Sequence, residues 1–360
     1  TIKLKLTGNK GEWSELYAFI KLLSTGKLYA ADEEVNRIKD IYFPILKIIR
    51  QEDNGKHLEY VIIVEEEEVE IHWNAEIVRS ISQQELAKRS EYIYKKILEG
   101  GNRSFEIEGS DKIMDELACT KISAPSTDKT DITMQIKDIN TGYKPVCGFS
   151  IKSELGSPPT LLNASGATNF IYEVSGISEE LAKAINAIDT KTKIVDRVQK
   201  ILENGTITYS HMKNKVFSGN LMLIDTYMEK IVASMLLQYY KNKEADCDKL
   251  VEIIEEQNPL RYPRKGIYAY KFKKFLCSIA LGMMPSKEWD GLDEANGGYI
   301  IVKDDGDVLA YHIYNRDAFE GYLLKNTKFE KGSTSKHGFA SLYEENGKMF
   351  INLNLQIRFI

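Results

Sequence analysis

Apolar residues recur at helical spacing near the start of the chain. In GEWSELYAFIKLL, residues 11–23, Trp13, Leu16, Tyr17, Ile20 and Leu23 fall on one face, and Gly26 supplies a stop. A first amphipathic helix is predicted. Over residues 41–73 short apolar runs alternate with Asp, Asn and Gly breakers, which reads as strands. Ser82-Gln83-Gln84-Glu85 is a capping box opening a helix that stops at Gly100-Gly101. Farther on, Asp131, Thr133, Gln135 and Lys137 alternate with Ile132, Met134 and Ile136, and CGFSIKS forms a compact apolar run over 147–153. With Asn140-Thr141-Gly142 between them as a turn, the two predict a β-hairpin. Residues 178–256 read as helical, with Ser178 at an N-terminus and a long amphipathic stretch from Leu221 to Tyr240. In the last hundred residues Gly297-Gly298, Asp305-Gly306 and Asn346-Gly347 punctuate apolar runs. MFINLNLQIRFI then alternates from Met349 to Phe359, behind an Asn-Gly suited to a type I′ turn.

Length and composition narrow the class. At 360 residues, with 43% hydrophobic and 28% charged residues, 24 Gly and 8 Pro, the chain is globular, and disordered, collagenous and coiled-coil classes are excluded. Its longest apolar run, Phe275 to Met284, is about half of the ~20 residues that cross a bilayer, and the polar start TIKLKLTGNK has no secretory core. The expectation is a soluble cytoplasmic protein. Cys119, Cys147, Cys247 and Cys277 are far apart, with no CxxC and no nearby His, so free buried thiols are expected and a zinc site is not.

The net charge of −5 argues at first against a nucleic-acid partner, but the average misleads. Residues 30–118 hold 21 acidic against 12 basic side chains, including the run Glu65–Glu68, and the remainder of the chain is net basic. The segment from Arg261 to Phe275, RYPRKGIYAYKFKKF, carries six basic residues and no acid, interleaved with Tyr262, Tyr268, Tyr270, Phe272 and Phe275. That is the composition of a surface that tracks a phosphate backbone, with Arg264 and Lys265 as candidate contacts. It is equally the composition of a solvated basic face over aromatic core residues. The Gly266-Ile267-Tyr268 string inside it lacks the downstream Tyr-Ile-Gly that a GIY-type nuclease would need.

Hydrolysis of a phosphodiester needs a divalent metal to polarise the phosphate, anionic ligands to hold it, and a cation near the attacking water. Asp131 opens one strand of the proposed hairpin and Lys152 closes the other, so antiparallel pairing brings both to one end of the sheet. Spacing alone does not decide this, since many sheets have an Asp and a Lys near strand ends.

The wording around these positions carries more. GNKGEWSELYAFIKLL at 8–23, STDKTDI at 126–132, GFSIKSELGSPPTLLNASGATNF at 148–170, YHIYNR at 311–316, NTKFEKGSTSKHGF, and NGKMFINLNLQIRF resemble the HpaII family of type II restriction endonucleases, in order and over nearly the whole chain. The resemblance implies an α/β (α+β) fold of the PD-(D/E)xK restriction-endonuclease type, with a mixed central sheet flanked by helices. On that reading residues 1–30 and 101–256 are the nuclease core, 31–100 an inserted acidic α+β lobe, and 257–360 a β-rich C-terminal DNA-recognition lobe. Asp131 would be the metal-binding Asp and Lys152 the Lys of the (D/E)xK triplet, with the main-chain carbonyl of Ile151 an additional ligand. Ser150 stands where the triplet's acid is expected, so a second carboxylate must come from elsewhere. Glu15, four residues after Gly11, resembles the superfamily's helix Glu and is the first choice. Glu12 is the second and Glu154 the third. For Glu12 and Glu15 the bland alternative is a solvated first-turn acid favoured by the helix dipole.

The resemblance further implies Mg²⁺ as cofactor, double-stranded DNA as substrate, CCGG as target and 5′-phosphate products. It also implies functional pairing with a DNA cytosine methyltransferase. A palindromic target suits a homodimer, and a monomer cutting one strand at a time is the alternative. In STSKHGF, residues 333–339, Ser335, Lys336 and His337 offer donors for phosphates or guanine edges, with Asn315 and Arg316 added from YHIYNR. TLLNASGATNF is expected to form a short helix beside the catalytic strand, with Asn163 and Asn169 near the DNA. Two rival readings are a structure-specific repair or junction nuclease of the same superfamily and a non-catalytic DNA-binding protein on a nuclease-like core. A small-molecule enzyme has no GxGxxG or GKS/T motif to support it.

Overall fold

The structure, a computed structural model, describes residues 6–125 and 128–360. The first five residues of the polar start and Ser126-Thr127 of STDKTDI lie outside the described residues. The chain divides into two compact units. One holds the residues up to Pro159 together with Asp293–Tyr322, and the other holds Thr160–Leu292 and Leu323–Ile360.

The first unit is built on a nine-stranded mixed sheet. Its strands are β1 (Lys27–Ala31), β2 (Arg37–Gln51), β3 (His57–Ile63), β4 (Glu68–Trp73), β5 (Glu76–Ser82), β6 (Ile132–Ile136), β7 (Val146–Ser153), β11 (Gly298–Val302) and β12 (Val308–His312). They are ordered β1-β12-β11-β7-β6-β2-β3-β4-β5. β2 pairs with β1 along its first half and with β3 and β6 along its second. Pro44 sits where it changes partner, a position that needs no strand donor. The predicted hairpin forms as β6 and β7, antiparallel with Ile132 opposite Phe149.

Helix α1 (Lys10–Thr25) begins at Asn9, whose side chain accepts from Glu12 N while Glu12 caps the Asn9 N–H, and it ends at Gly26 in the left-handed conformation. It is buried nearly all round, because α2 (Gln83–Glu99) covers one side and the sheet the other. Trp13, Phe19, Ile48, Tyr60, Ile93, Met134 and Phe149 share one core. Ser82 caps α2 as its box predicts. The short α3 (Ser110–Glu116) completes the set that precedes the hairpin.

The second unit carries two smaller sheets. One is β10-β9-β15-β14, from β9 (Asn169–Ser175), β10 (Thr206–Met212), β14 (Leu342–Glu345) and β15 (Lys348–Asn354). The other is β13-β16-β8, from β8 (Thr160–Leu162), β13 (Thr327–Glu330) and β16 (Gln356–Phe359). Helices α4 (Glu179–Asn186), α5 (Lys193–Asn204), α6 (Lys215–Ile224), α7 (Met228–Asn242), α8 (Cys247–Gln257) and α9 (Ile267–Leu281) lie among them in sequence, α10 (Arg316–Lys325) follows β12, and α11 (Thr334–His337) is a single turn. Ser178 caps α4, and Asn346-Gly347, both at positive φ, turn β14 into β15.

Several expectations are corrected. The acidic segment 31–100 makes no lobe of its own: β2–β5 extend the central sheet, because their inward residues Ile48, Leu58, Tyr60, Val69 and Ile71 belong to the same core as α1. The tail from 257 is not one β-rich lobe. It opens with α9, and β11 and β12 join the first unit's sheet, where every residue of both strands is buried. The stretch 160–256 falls in the second unit and is not continuous with the hairpin's sheet. The expected helix Leu221–Tyr240 breaks at Asp225, whose carboxylate caps Tyr227 N. The final strand breaks at Leu355, and β10 interrupts the helical run. TLLNASGATNF forms β8, a 3₁₀ turn over Gly166–Thr168 and the start of β9. All four cysteines are buried free thiols, and among the described residues no helix is long and apolar enough to cross a membrane.

β11 pairs in parallel with β7, Gly298 opposite Phe149 and Ile301 opposite Lys152. At Gly298 φ is +123°, and an added Cβ would lie 2.0 Å from the Tyr311 carbonyl oxygen. Gly298→Ala is therefore expected to cost about 1–3 kcal/mol, read as a lowered denaturant midpoint. Gly166→Ala, in open space, should leave it unchanged. Equal midpoints for the two would contradict this account of the strand.

Candidate active site

β6 begins at Ile132, and the residue before it extends the ladder with its side chain. Asp131 N donates to Phe149 O at 2.9 Å, while its Oδ2 accepts from Ile151 N at 2.7 Å and from Ser150 Oγ at 3.3 Å. Continuing the register by one step puts Asp131 opposite Ser150, with Lys152 two residues farther on the same strand. The strand end thereby fixes the carboxylate, and Ser150, 4% exposed, acts as a donor to it.

Glu15 arrives from α1. It is half-buried, between the buried Ser14 and Leu16 of that helix, and its Oε2 accepts from Ala124 N at 2.9 Å. Burial, and next the charge of Asp131, push its carboxyl from the ordinary 4.5 up to about 8, against the pull of the Ala124 N–H and Lys152. Asp131 is likewise raised, first by burial, although the Ile151 N–H, Lys152, the Ser150 hydroxyl and Lys129 all favour its charged form. Lys152 therefore acts electrostatically on both acids, and among the described residues it is in no ion pair.

Two clefts of the first unit meet at Glu15. One, of about 540 Å³, is lined by Glu15, Arg50, Glu52, Asp128, Thr130 and Asp131; the other, of about 380 Å³, by Asn9, Lys10, Glu12, Glu15, Ile151 and Lys152. Asp131 Oδ1 and Glu15 Oε1 accept no hydrogen bond among the described residues, so each buried acid keeps one oxygen available. No group of three His, Cys, Asp or Glu is gathered there or elsewhere among the described residues. Two carboxylates with a main-chain carbonyl beside them still fit a hard cation such as Mg²⁺, which is commonly held by one or two carboxylates and completes its shell with water and substrate oxygens.

The other candidates separate. Glu12 lines the second cleft, but its carboxylate is engaged in capping the helix at Asn9 N, 2.8 Å away. Glu154 turns to the Asp304 N–H and does not join the cluster. Asn315 and Arg316 belong to the first unit, where the Arg316 guanidinium pairs with Asp293 at 2.9 Å. In the second unit, Ser335 and Lys336 are exposed and His337 half-buried on the turn of α11, and Asn163 is exposed after β8. Asn169 is corrected: it is fully buried, its amide donating to His337 O and accepting from Asn354. In the basic stretch Lys265 is paired with Glu256 and Lys271 with Asp225, Arg264 is exposed, and Tyr268, Phe272 and Phe275 are core.

Lys129 was missed. It is half-buried two residues before Asp131, and burial, then Lys152, hold its ammonium below the ordinary lysine range. Its place in STDKTDI, two residues before Asp131, was the available signal.

Comparison with known proteins agrees with this arrangement of motifs. The family model described as HpaII restriction endonuclease matches residues 9–359. The chain is 40% identical over 359 residues to the type II restriction enzyme HpaII of Haemophilus parainfluenzae, covering 98% of this chain and 99% of that protein. No solved structure matches. With the match running from the cap of α1 to the last strand, the chain belongs to the HpaII family of restriction endonucleases.

Proposed function

We propose that this type II restriction endonuclease hydrolyses double-stranded DNA at a short palindromic site, CCGG, in a Mg²⁺-dependent reaction centred on Asp131, Glu15 and Lys152. The observation that carries the reading is two half-buried carboxyls, Glu15 and Asp131, both held above the ordinary range, Glu15 in part by the charge of Asp131, beside an ammonium that is in no ion pair among the described residues. Folding alone supplies no reason for that arrangement, and perturbed titratable groups in a cleft mark functional sites. The relative's name supports a restriction function, and the target CCGG rests on likeness to it.

Asp131 and Glu15, with the Ile151 carbonyl, are the residues that would hold the cation. When bound, it supplies a Lewis acid at the scissile phosphate and lowers the pKa of water. The chain's own groups do the rest. The Ile151 N–H and Ser150 hydroxyl keep Asp131 aimed, because both donate to its Oδ2. Lys152 orients the attacking water, helps to remove its proton and offsets negative charge gathering on the phosphate. In-line displacement then leaves a 5′-phosphate and a 3′-hydroxyl.

DNA contacts are assigned to Asn315 and Arg316 of the first unit and to Asn163, Arg264, Lys265, Ser335, Lys336 and His337 of the second. Pairing of Lys265 with Glu256 and of Arg316 with Asp293 does not prevent this, since exposed ion pairs are weak and exchange readily for phosphate. A cytosine methyltransferase protecting the same site is the expected companion, and the palindromic target fits a homodimer.

Three outcomes test the assignment. Lys152→Ala should lower single-turnover cleavage of plasmid DNA by about 10³-fold while duplex affinity stays near wild type; retained cutting would remove Lys152 from the reaction. Run-off sequencing of a wild-type digest should show discrete breaks within CCGG. Smeared products or a preference for branched junctions would favour the structure-specific alternative. The third outcome concerns pH. A carboxyl raised to about 8 in the fold stabilises it while protonated, and that contribution is lost as pH climbs from the unfolded value toward 8. Metal-free protein should therefore lose thermal stability between pH 5 and 8, Mg²⁺ should restore it at pH 8, and Glu15→Gln should flatten both responses. An unchanged pH and Mg²⁺ response in Glu15→Gln would count against Glu15 as a ligand.

A further inference from the structure

Three polar surface segments of the second unit converge on a pair of buried amides. The main-chain oxygen of Asn169 accepts from Lys213 N at 3.2 Å, and its side-chain nitrogen donates to His337 O at 2.7 Å. Its side-chain oxygen accepts from Asn354 Nδ2 at 2.7 Å, and the same nitrogen of Asn354 reaches Ser165 O at 2.7 Å and Thr168 Oγ1 at 3.1 Å. Both asparagines are 0% exposed. Two residues earlier on the same strand, β15, Asn352 Nδ2 lies 3.4 Å from Gly338 O. The turn at 165–168, the end of β10 and the turn at 333–338 are each one hydrogen bond from the pair.

The tied segments carry exposed donors: Asn163 on the first, His211 and Lys213 on the second, Ser335 and Lys336 on the third. Elsewhere in the unit, Lys193, Lys200, Lys249, Lys265 and Lys271 sit in ion pairs. Among the described residues Lys213 and Lys336 do not, in common with others of the unit such as Lys191, Lys215 and Lys273. Unneutralised ammonium groups on rigidly held turns suit a polyanionic backbone, because each phosphate contact releases a condensed counterion.

We infer that Asn169 and Asn354 form a buried clasp that holds these three segments as one DNA-contacting surface, and that Lys213 contacts a backbone phosphate on it. The inference rests on the proposal that the turn at 333–338 meets DNA, and it adds both the strand end at Lys213 and the element that positions the two together. Lys213 is a binding residue; Asn354 is a positioning residue that acts through the turns it ties.

The test uses the full chain with Ca²⁺ in place of Mg²⁺, measuring affinity for a CCGG duplex and a scrambled duplex across a salt series. Lys213→Gln should weaken both duplexes alike and reduce the slope of log affinity against log salt by about one. Asn354→Asp keeps the volume but removes the donors facing Ser165 O and Asn169 Oδ1. It should narrow discrimination between the duplexes by about tenfold and, in Mg²⁺ cleavage assays, raise KM with kcat retained. A wild-type salt slope in Lys213→Gln, or wild-type discrimination in a folded Asn354→Asp protein, overturns the inference. If Asn354→Asp fails to fold, Lys213→Gln decides. Lys336→Gln, run alongside, separates the two levels. A changed slope there with none in Lys213→Gln keeps the turn's DNA contact and removes the clasp surface, whereas unchanged slopes in both remove the turn's DNA contact as well.

Discussion

Two acids buried within reach of each other's field set the terms for the first unit. Glu15 lies on a helix that is otherwise enclosed by α2 and the sheet, and Asp131 extends the ladder just before β6 begins. Burial is the first cause that raises both, and the charge of Asp131 makes Glu15 harder still to ionise. Among the described residues, hydrogen bonds relieve one oxygen of each group. A cation between them would remove the repulsion and satisfy the remaining oxygens together. The sheet, the helix cap and the parallel partner of β7 can all be understood as holding that pair in place.

Ser150 makes sense in the same terms. An acid at its position, directly across from Asp131, would add a third negative charge to a buried site already occupied by Glu15. The serine contributes a neutral donor instead, and it donates to the carboxylate that the strand end presents. On the proposed reading, the serine at this position goes together with a carboxylate supplied by the first helix. Glu12, one turn earlier, is spent on the capping box, which is why it does not serve equally well.

Local signals were the legible ones. The apolar face from Trp13 to Leu23 and the stop at Gly26 marked α1, the β6–β7 alternation placed Asp131 and Lys152 at one sheet end, and Asn346-Gly347 marked its hairpin. What was hidden depends on contacts distant in the chain. β11 lies beside β7 although about 150 residues separate them, and a strand buried on both faces reads only as an apolar run. The acidic residues of 31–100 suggested a separate lobe because charge marks the outward side of β2–β4, while their inward side is core. Asn169 looked like a surface donor in a polar string. Nothing local distinguishes an amide that reads DNA from one that holds a turn from beneath.

The pairing of the two acids around one cation is tested most directly by anomalous diffraction from crystals grown with Mn²⁺ and a CCGG duplex. The account predicts an anomalous peak bridging the Asp131 and Glu15 carboxylates, with the Lys152 ammonium beside the same phosphate. A peak held by other residues, or Glu15 turned away from an ion bound at Asp131, would contradict it.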